Sequence, residues 1–218
     1  DQPLDNLLPL KEDEDGSTLL RVLNDIRVGD TSSLHLLDAR IGVVFPADGI
    51  DPVRILCKNV DVDRYNAERL AALPGVAKTF TARDTGMPYH TDSFNKNCPA
   101  PAVLELKVGA QVSLLVNLDV EQGLVNGAVG IVKAFGPGGV TVQFKSGGAL
   151  VELNDWHIKE QEVGVDGKIK FKVAATRRQM PLKVCYAVTS HRVQGQTLDR
   201  AIVDVTEAFA EGQIYVAL

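Results

Sequence analysis

Cysteine, long apolar runs and a phosphate-cradling glycine loop are scarce or missing in this sequence, and each lack narrows what the chain can be. The three cysteines, Cys57, Cys98 and Cys185, are far apart, odd in number and without C-x-x-C spacing. Neither a disulfide framework nor a zinc site is indicated, and a reducing, intracellular compartment fits best. No stretch approaches the roughly eighteen uninterrupted apolar residues of a membrane-spanning helix, and Asp1 to Asp15 is acidic and polar where a targeting peptide is apolar or basic. No membrane partner is expected. The sequence holds no G-x-x-x-x-G-K-[ST]; its one Gly-Lys pair, Gly167-Lys168, is followed by isoleucine. Nor does an acidic pair close an apolar strand to hold magnesium, since Glu12-Asp13-Glu14-Asp15 precedes the first recognisable element.

What is present is the material of an ordinary packed core. At 218 residues, 45% of them hydrophobic, the chain suits one large domain or two small ones. A formal charge of −5 would argue against phosphate binding if it were evenly spread, because polyanions are gripped by Lys and Arg that displace counterions. The charge is uneven. From Gly164 to Arg200 eight cations (Lys168, Lys170, Lys172, Arg177, Arg178, Lys183, Arg192, Arg200) stand against Asp166 and Asp199. A local basic face is expected there, with a solvated charged surface as the plainer alternative.

Leu19, Leu20, Leu23 and Ile26 recur at helical spacing between Ser17, placed to cap a helix, and Gly29, placed to end it. Val53 to Cys57 predicts a buried strand, and Asn59 opens a second helix with Asp61 and Asp63 in its first turn and Pro74-Gly75 as its stop. A strand running straight into a helix points to an α/β layer. Asp84 to Pro101, rich in Gly, Pro and Asn, predicts a connecting loop. Val103 to Ala175 has the pattern of a small antiparallel barrel, with strands Gln111–Val116, Val129–Ala134, Val140–Phe144, Leu150–Leu153 and Ile169–Val173. Turn signals separate them, among them Asn126-Gly127, a pair suited to a type I′ turn. Beyond Pro181, Leu182–Thr189 predicts one continuous buried strand, Ala201–Val205 another, and Thr206 the start of a helical stretch. The expected division is an α/β domain from 1–102 and 181–218, interrupted by a barrel at 103–180.

Three segments carry a family resemblance. They are Leu106-Lys107-Val108-Gly109-Ala110-Gln111-Val112 with Leu124-Val125-Asn126-Gly127; Thr189-Ser190-His191-Arg192-Val193-Gln194-Gly195-Gln196-Thr197-Leu198-Asp199; and Gly212-Gln213-Ile214-Tyr215-Val216-Ala217-Leu218. In order and spacing the chain, from about Ser17 onward, resembles the Pif and RecD helicases of superfamily one. The second and third segments resemble their motif V and the opening of motif VI. The fold this implies is α/β: a RecA-like parallel-sheet domain of P-loop NTPase type, the second of two motor domains, carrying an inserted Src-homology-three-like barrel.

The motif-V segment has a physical logic of its own. It follows a buried strand, and open α/β sheets bind ligands at the carboxyl edge of their strands. His191 and Arg192 offer donors to a phosphodiester, Thr189 and Thr197 offer hydroxyls, and the amide at Gly195 can approach a phosphate unobstructed. As isolated features, a partly exposed histidine bonded to a carbonyl and a plain turn are the commoner readings. The resemblance implies that Asn59, Thr189, His191, Arg192, Gln194 and Thr197 contact or sense single-stranded DNA, while Gly195 and Gln196 lie near the nucleotide. Lys168, Lys170 and Lys172 alternate along one strand, suited either to tracking a nucleic-acid backbone or to guarding an edge against aggregation. Trp156 beside His157 has two uses as well, stacking on a base or packing on the barrel.

The resemblance further implies an ATP-dependent helicase moving 5′ to 3′ on single-stranded DNA, with ATP and Mg2+ held mainly by an N-terminal RecA-like domain that is a partner to this segment. Its compartment would be the nucleus or mitochondrion in a eukaryote and the cytoplasm in a bacterium. Two family arginines, one in a Phe-Arg-Gln segment before the first helix and one in the Ser-Arg that continues motif VI, have no counterpart here, and Lys58 replaces a common threonine. No hydrolysis is therefore expected of the chain alone. The alternative function is that of a non-catalytic helicase fragment serving as a DNA- or protein-binding module.

Overall fold

The computed structural model describes residues 17–46, 49–163, 169–193 and 198–204. Lys168, Gln194, Gly195, Gln196 and Thr197 lie outside the described residues, as do the acidic N-terminal stretch, the helix expected from Thr206 and the segment Gly212 to Leu218.

Helix α1, Ser17–Arg27, buries Val22 fully, with Leu23 and Ile26 partly covered, whereas Leu20 stays 59% exposed. It stops at Gly29, whose φ of 80° lets its N–H reach Ile26 O at 3.0 Å while Asp30 N–H reaches Asp25 O at 2.9 Å. A 3-10 segment, Leu34–Arg40, follows. Strand β1, Val53–Leu56, alternates buried and half-buried residues and passes into α2, Asn59–Ala72. Next come β2, Lys78–Thr81, and β3, Arg83–Gly86.

The expected loop at Asp84 to Pro101 contains a helix, α3, Pro88–Asn97. Proline sits in its first turn, where its missing N–H costs nothing, and His90 and Phe94, one turn apart, are its buried side chains. So narrow an apolar stripe leaves almost no periodicity to read.

Then β4, Val103–Leu106; β5, Gln111–Leu114; β6, Val129–Phe135; β7, Val140–Phe144; and β8, Gly147–Val151 run in succession. Strands β9, Asn154–Val163, and β10, Ile169–Gln179, form a long antiparallel pair. The last described elements are β11, Leu182–Val184; β12, Ala187–Thr189; a single helical turn α4, Ser190–Val193; and β13, Ala201–Val203.

These strands make two different layers. One is a parallel sheet in the order β12-β1-β13. The other is a five-stranded antiparallel sheet, β11-β5-β6-β7-β8, whose inward residues, among them Val112, Leu114, Val132, Val142 and Leu182, form one buried cluster with Leu104 and Leu106 of β4. At about 25 cal/mol per Å2 of apolar area removed from water, a cluster of that size is the main source of stability for the insertion. Two smaller units attach to it: the ribbon β2-β4 and the sheet β3-β10-β9.

The run Leu182–Thr189 is not one strand. Leu182–Val184 pairs antiparallel with β5, and Ala187–Thr189 pairs parallel with β1. The run reads as continuous because both halves are buried. The chain changes sheets between them, at Cys185 and Tyr186. The turn at Asn126-Gly127 also differs from expectation. Ala128 N–H bonds Val125 O at 2.9 Å, but only Gly127 has positive φ, 95°, as a type II turn requires and a type I′ turn does not. Pairing reaches past both ends of 103–180, through β2 and β3 on one side and β11 on the other.

Candidate nucleic-acid interface

Strands β1 and β12 run parallel with Leu56 opposite Thr189, so both end at the same edge of the sheet. Two polar segments leave the sheet there, Cys57–Lys58–Asn59 into α2 and Ser190–His191–Arg192 into α4. On the far side Asp204 N–H reaches Ile55 O at 3.0 Å. Asn59, His191 and Arg192 are exposed, whereas Thr189 is 5% and Ser190 0% exposed. The structure thus brings Asn59, Thr189, His191 and Arg192 to one carboxyl edge. His191 and Arg192 present donors outward while Thr189 sits beneath them. Among the described residues the Ser190 hydroxyl has no hydrogen-bond partner.

Several residues that set this edge were not legible as functional. Asn66, in the middle of α2, accepts N–H bonds from Tyr186 (2.8 Å) and Ala187 (2.9 Å) and donates to Ala187 O (3.0 Å), pinning the chain as it enters β12. Asparagine is a poor helix former because its side chain competes for backbone groups, and that was the available signal. Gln111, fully buried on β5, donates to Asp51 O (3.1 Å) and Cys185 O (2.9 Å) and accepts from Asp51 N–H (2.8 Å). Arg69 of α2 bonds the Asp51 carboxylate and lies 4.6 Å from the Tyr186 ring centroid. Barrel, parallel sheet and helix meet at these residues.

A cavity of about 330 Å3 lies between barrel and parallel layer, lined by residues that include Val129, Lys133, Lys145, Asp199 and Arg200. Lys145 of the β7–β8 turn pairs with Asp199 at 3.0 Å, both side chains exposed. That pair contributes little stability, but it sets the barrel against the segment following the polar turn.

Lys183, on β11, is mostly buried, and burial holds its pKa below the usual lysine range, with the charge of Arg192 acting in the same direction. Between the folded and unfolded values the unfolded chain binds more protons, so stability rises with pH across that window, and the full penalty applies below it. Lys183→Met should raise the midpoint of thermal unfolding at pH 7, and the gain should shrink as pH climbs towards 10. Calorimetry across that range checks it; a gain independent of pH would assign the effect to packing. Burial also pushes the neighbouring Cys185 thiol up to about 11.

The remaining lysines are placed differently. Lys170 and Lys172 lie on one face of β10, as their alternation requires, but the ladder sets them opposite Glu162 and Glu160 of β9. Together the four side chains carry no net charge. Trp156 is half-buried and stands opposite Arg177.

A parallel RecA-type layer that gives way to an antiparallel barrel and returns to a polar turn at its ligand edge is the plan of a second motor domain in a superfamily-one helicase. Residues 90–135 match the family model described as DNA helicase Pif1, 2B domain. The ATP-dependent DNA helicase PIF1 of Danio rerio is 35% identical over 208 residues, covering 92% of this chain. This chain spans 31% of that relative's length. The structure resembles Bacteroides sp Pif1 in complex with ADP-AlF4, with a TM-score of 0.75 and 28% identity, covering 92% of this chain and 46% of the other. It also resembles Bacteroides Pif1 bound to ssDNA, with a TM-score of 0.65 and 29% identity, covering 93% and 46% respectively. These matches make the chain similar to a C-terminal portion of the Pif1-type helicases.

Proposed function

We propose that this chain supplies the strand-gripping and nucleotide-sensing part of an ATP-dependent helicase that moves 5′ to 3′ on single-stranded DNA. The observation that carries the reading is the exposed His191–Arg192 pair on the carboxyl edge of the parallel sheet, beside the start of α2. Cationic and imidazole donors there meet a phosphodiester, and Asn59 adds an amide from the neighbouring segment. Thr189, being buried, supports the turn and senses its position. The motif resemblance assigns Gln194 and Thr197 to strand contact and Gly195 and Gln196 to nucleotide sensing, and all four lie outside the described residues.

ATP chemistry enters through the other motor domain. Its closure on this one would supply the phosphate loop that the present sequence lacks. In this reading Mg2+ is held by that partner domain. The relatives bound to ADP-AlF4 and to ssDNA support both parts of the reading. We assign the parallel layer to 1–102 and 181–218 and the insertion to 103–180, with β2, β3 and β11 as the strands that join them. Work on chromosomal DNA inside the cell follows from the same reading. The described residues include no helix long and apolar enough to cross a membrane.

The test is the double substitution His191→Ala with Arg192→Ala, titrated with fluorescent oligothymidylate over a series of salt concentrations. Affinity should fall, and the slope of log K against log salt should shrink by about 0.7 for each phosphate that is no longer neutralised. Unchanged affinity and slope in a folded variant would take the pair out of the interface.

A further inference from the structure

The sheet β3-β10-β9 has two faces, and the described residues cover only one. A bulge at Ala174 resets the phase of β10: Val173 is opposite Lys159 and Ala175 opposite Ile158. Gly86 makes this possible, since with φ 124° a Cβ there would lie 2.6 Å from Ala174 O. One face, with Ala175, Arg177 and Gln179, is buried, and α3 packs on it through His90, whose Nε2 is 3.0 Å from Glu160, and Tyr89, whose hydroxyl donates to Glu160 at 3.0 Å.

The other face is open. It presents Phe171 at 66% exposure, flanked by Ile169 at 61% and Val173 at 47%. The register puts exposed Lys159, His157 and Arg178 on this same side, and Arg83, opposite Arg178, extends it onto β3. The one acid among them, Asp155, reaches Arg178 only at 3.8 Å with both side chains exposed. Arg83 and Lys159 take part in no ion pair among the described residues. Three large apolar side chains left in water are a cost that an occupant would remove. Cations in excess on the same face as an exposed aromatic ring, Lys159 next to it in the ladder and Arg178 and Arg83 further along, select a polyanion that also carries flat π-faces. The opposite face, where lysines and glutamates balance, has no such selectivity.

We propose that this open face is a second binding surface for single-stranded nucleic acid, separate from the polar edge of the parallel sheet. Bases stack on Phe171 while Lys159, Arg178 and Arg83 contact the backbone. The surface is sequence-tolerant, because stacking on one ring and point charges on phosphates read no base edge. It stands independently of the edge site, and the test keeps the two apart.

Four versions of the whole chain are titrated with fluorescent oligothymidylate: unaltered, Phe171→Ser, the double His191→Ala and Arg192→Ala, and all three changes combined. Phe171→Ser should weaken binding between about fivefold and a hundredfold with an unchanged unfolding midpoint, since the side chain is already in solvent. The combined variant should bind more weakly than either parent. Cross-linking a 5-bromodeoxyuridine oligonucleotide to the unaltered chain should label the peptide holding Phe171, a readout that needs no variant to fold. Failure of the edge variant alone to lose affinity leaves this surface standing and removes the other. Binding by Phe171→Ser within about twofold of the unaltered chain, with no label on its peptide, overturns the proposal. So does a loss of self-association in sedimentation without a change in oligonucleotide affinity, which would make the face a protein contact.

Discussion

Arg177→Met is expected to destabilise the chain by about 3–5 kcal/mol, the range for breaking a buried ion pair from one side. Arg177 is 1% exposed and donates to both Asp84 oxygens at 2.8 and 2.7 Å, to Asn95 Oδ1 at 2.7 Å and to Ala100 O at 3.2 Å. Its guanidinium also lies 5.2 Å from the Phe94 ring centroid. One side chain thus ties β3, α3 and the loop after it to β10. Methionine fills the space but leaves the Asp84 carboxylate without its counter-charge and strands two further acceptors. Urea unfolding followed by Trp156, which sits opposite Arg177 on β9, should show the midpoint fall with little change in slope. Adding Asp84→Leu to Arg177→Met should recover part of the loss, because the uncompensated charge is then gone. A double variant worse than the single would show that packing at Arg177, not charge, dominates.

The parallel layer was readable because its signals are local: a buried strand feeding directly into a helix, and a polar turn after an apolar run. The barrel strands β6 and β7 were readable for the same reason, through alternation between glycine-rich turns. What could not be read depends on partners distant in sequence. Strand β9 has apolar residues only at Trp156, Ile158 and Val163, and the run Lys159 to Glu162 between the last two is wholly polar, so its apolar rhythm breaks off halfway. The basic stretch from Gly164 to Arg200 reads as a cationic face only until β9 sets Glu162 and Glu160 against Lys170 and Lys172. Charge summed along the chain misplaces the excess, which the register puts on the opposite face, the one that also carries Phe171. Arg177 counted as one more surface cation, although it is among the most deeply buried side chains described. Of the edge residues, Asn59, Thr189, His191 and Arg192 were found from the sequence, whereas Asn66 and Gln111, which hold the edge in place, were not.

Those two amides share a cause with Gln179, whose Nε2 donates to Phe80 O and Pro101 O at 3.0 Å each while its Oε1 accepts from Met180 N–H at 2.8 Å. Each stands where the chain passes between sheets, so that backbone groups lose their ladder partners inside the protein and must be met by a side chain that both donates and accepts. Gln111→Leu removes such a connector at the seam between barrel and parallel layer. It leaves Cys185 O, which is buried, without this bond, while Asp51 N–H and O, on an exposed residue, can turn to water, so at about 1–3 kcal/mol for a buried unmet group the expected loss is about 1–3 kcal/mol. The consequence goes beyond stability. In the unaltered chain Trp156 fluorescence, reporting the β9–β10 unit, and far-ultraviolet circular dichroism, reporting the whole, should fall together in urea. In Gln111→Leu the two curves should separate, because barrel and parallel layer no longer unfold as one unit. Coincident curves at a lower midpoint would place the coupling elsewhere, in Arg69, Asp51 and the Tyr186 ring.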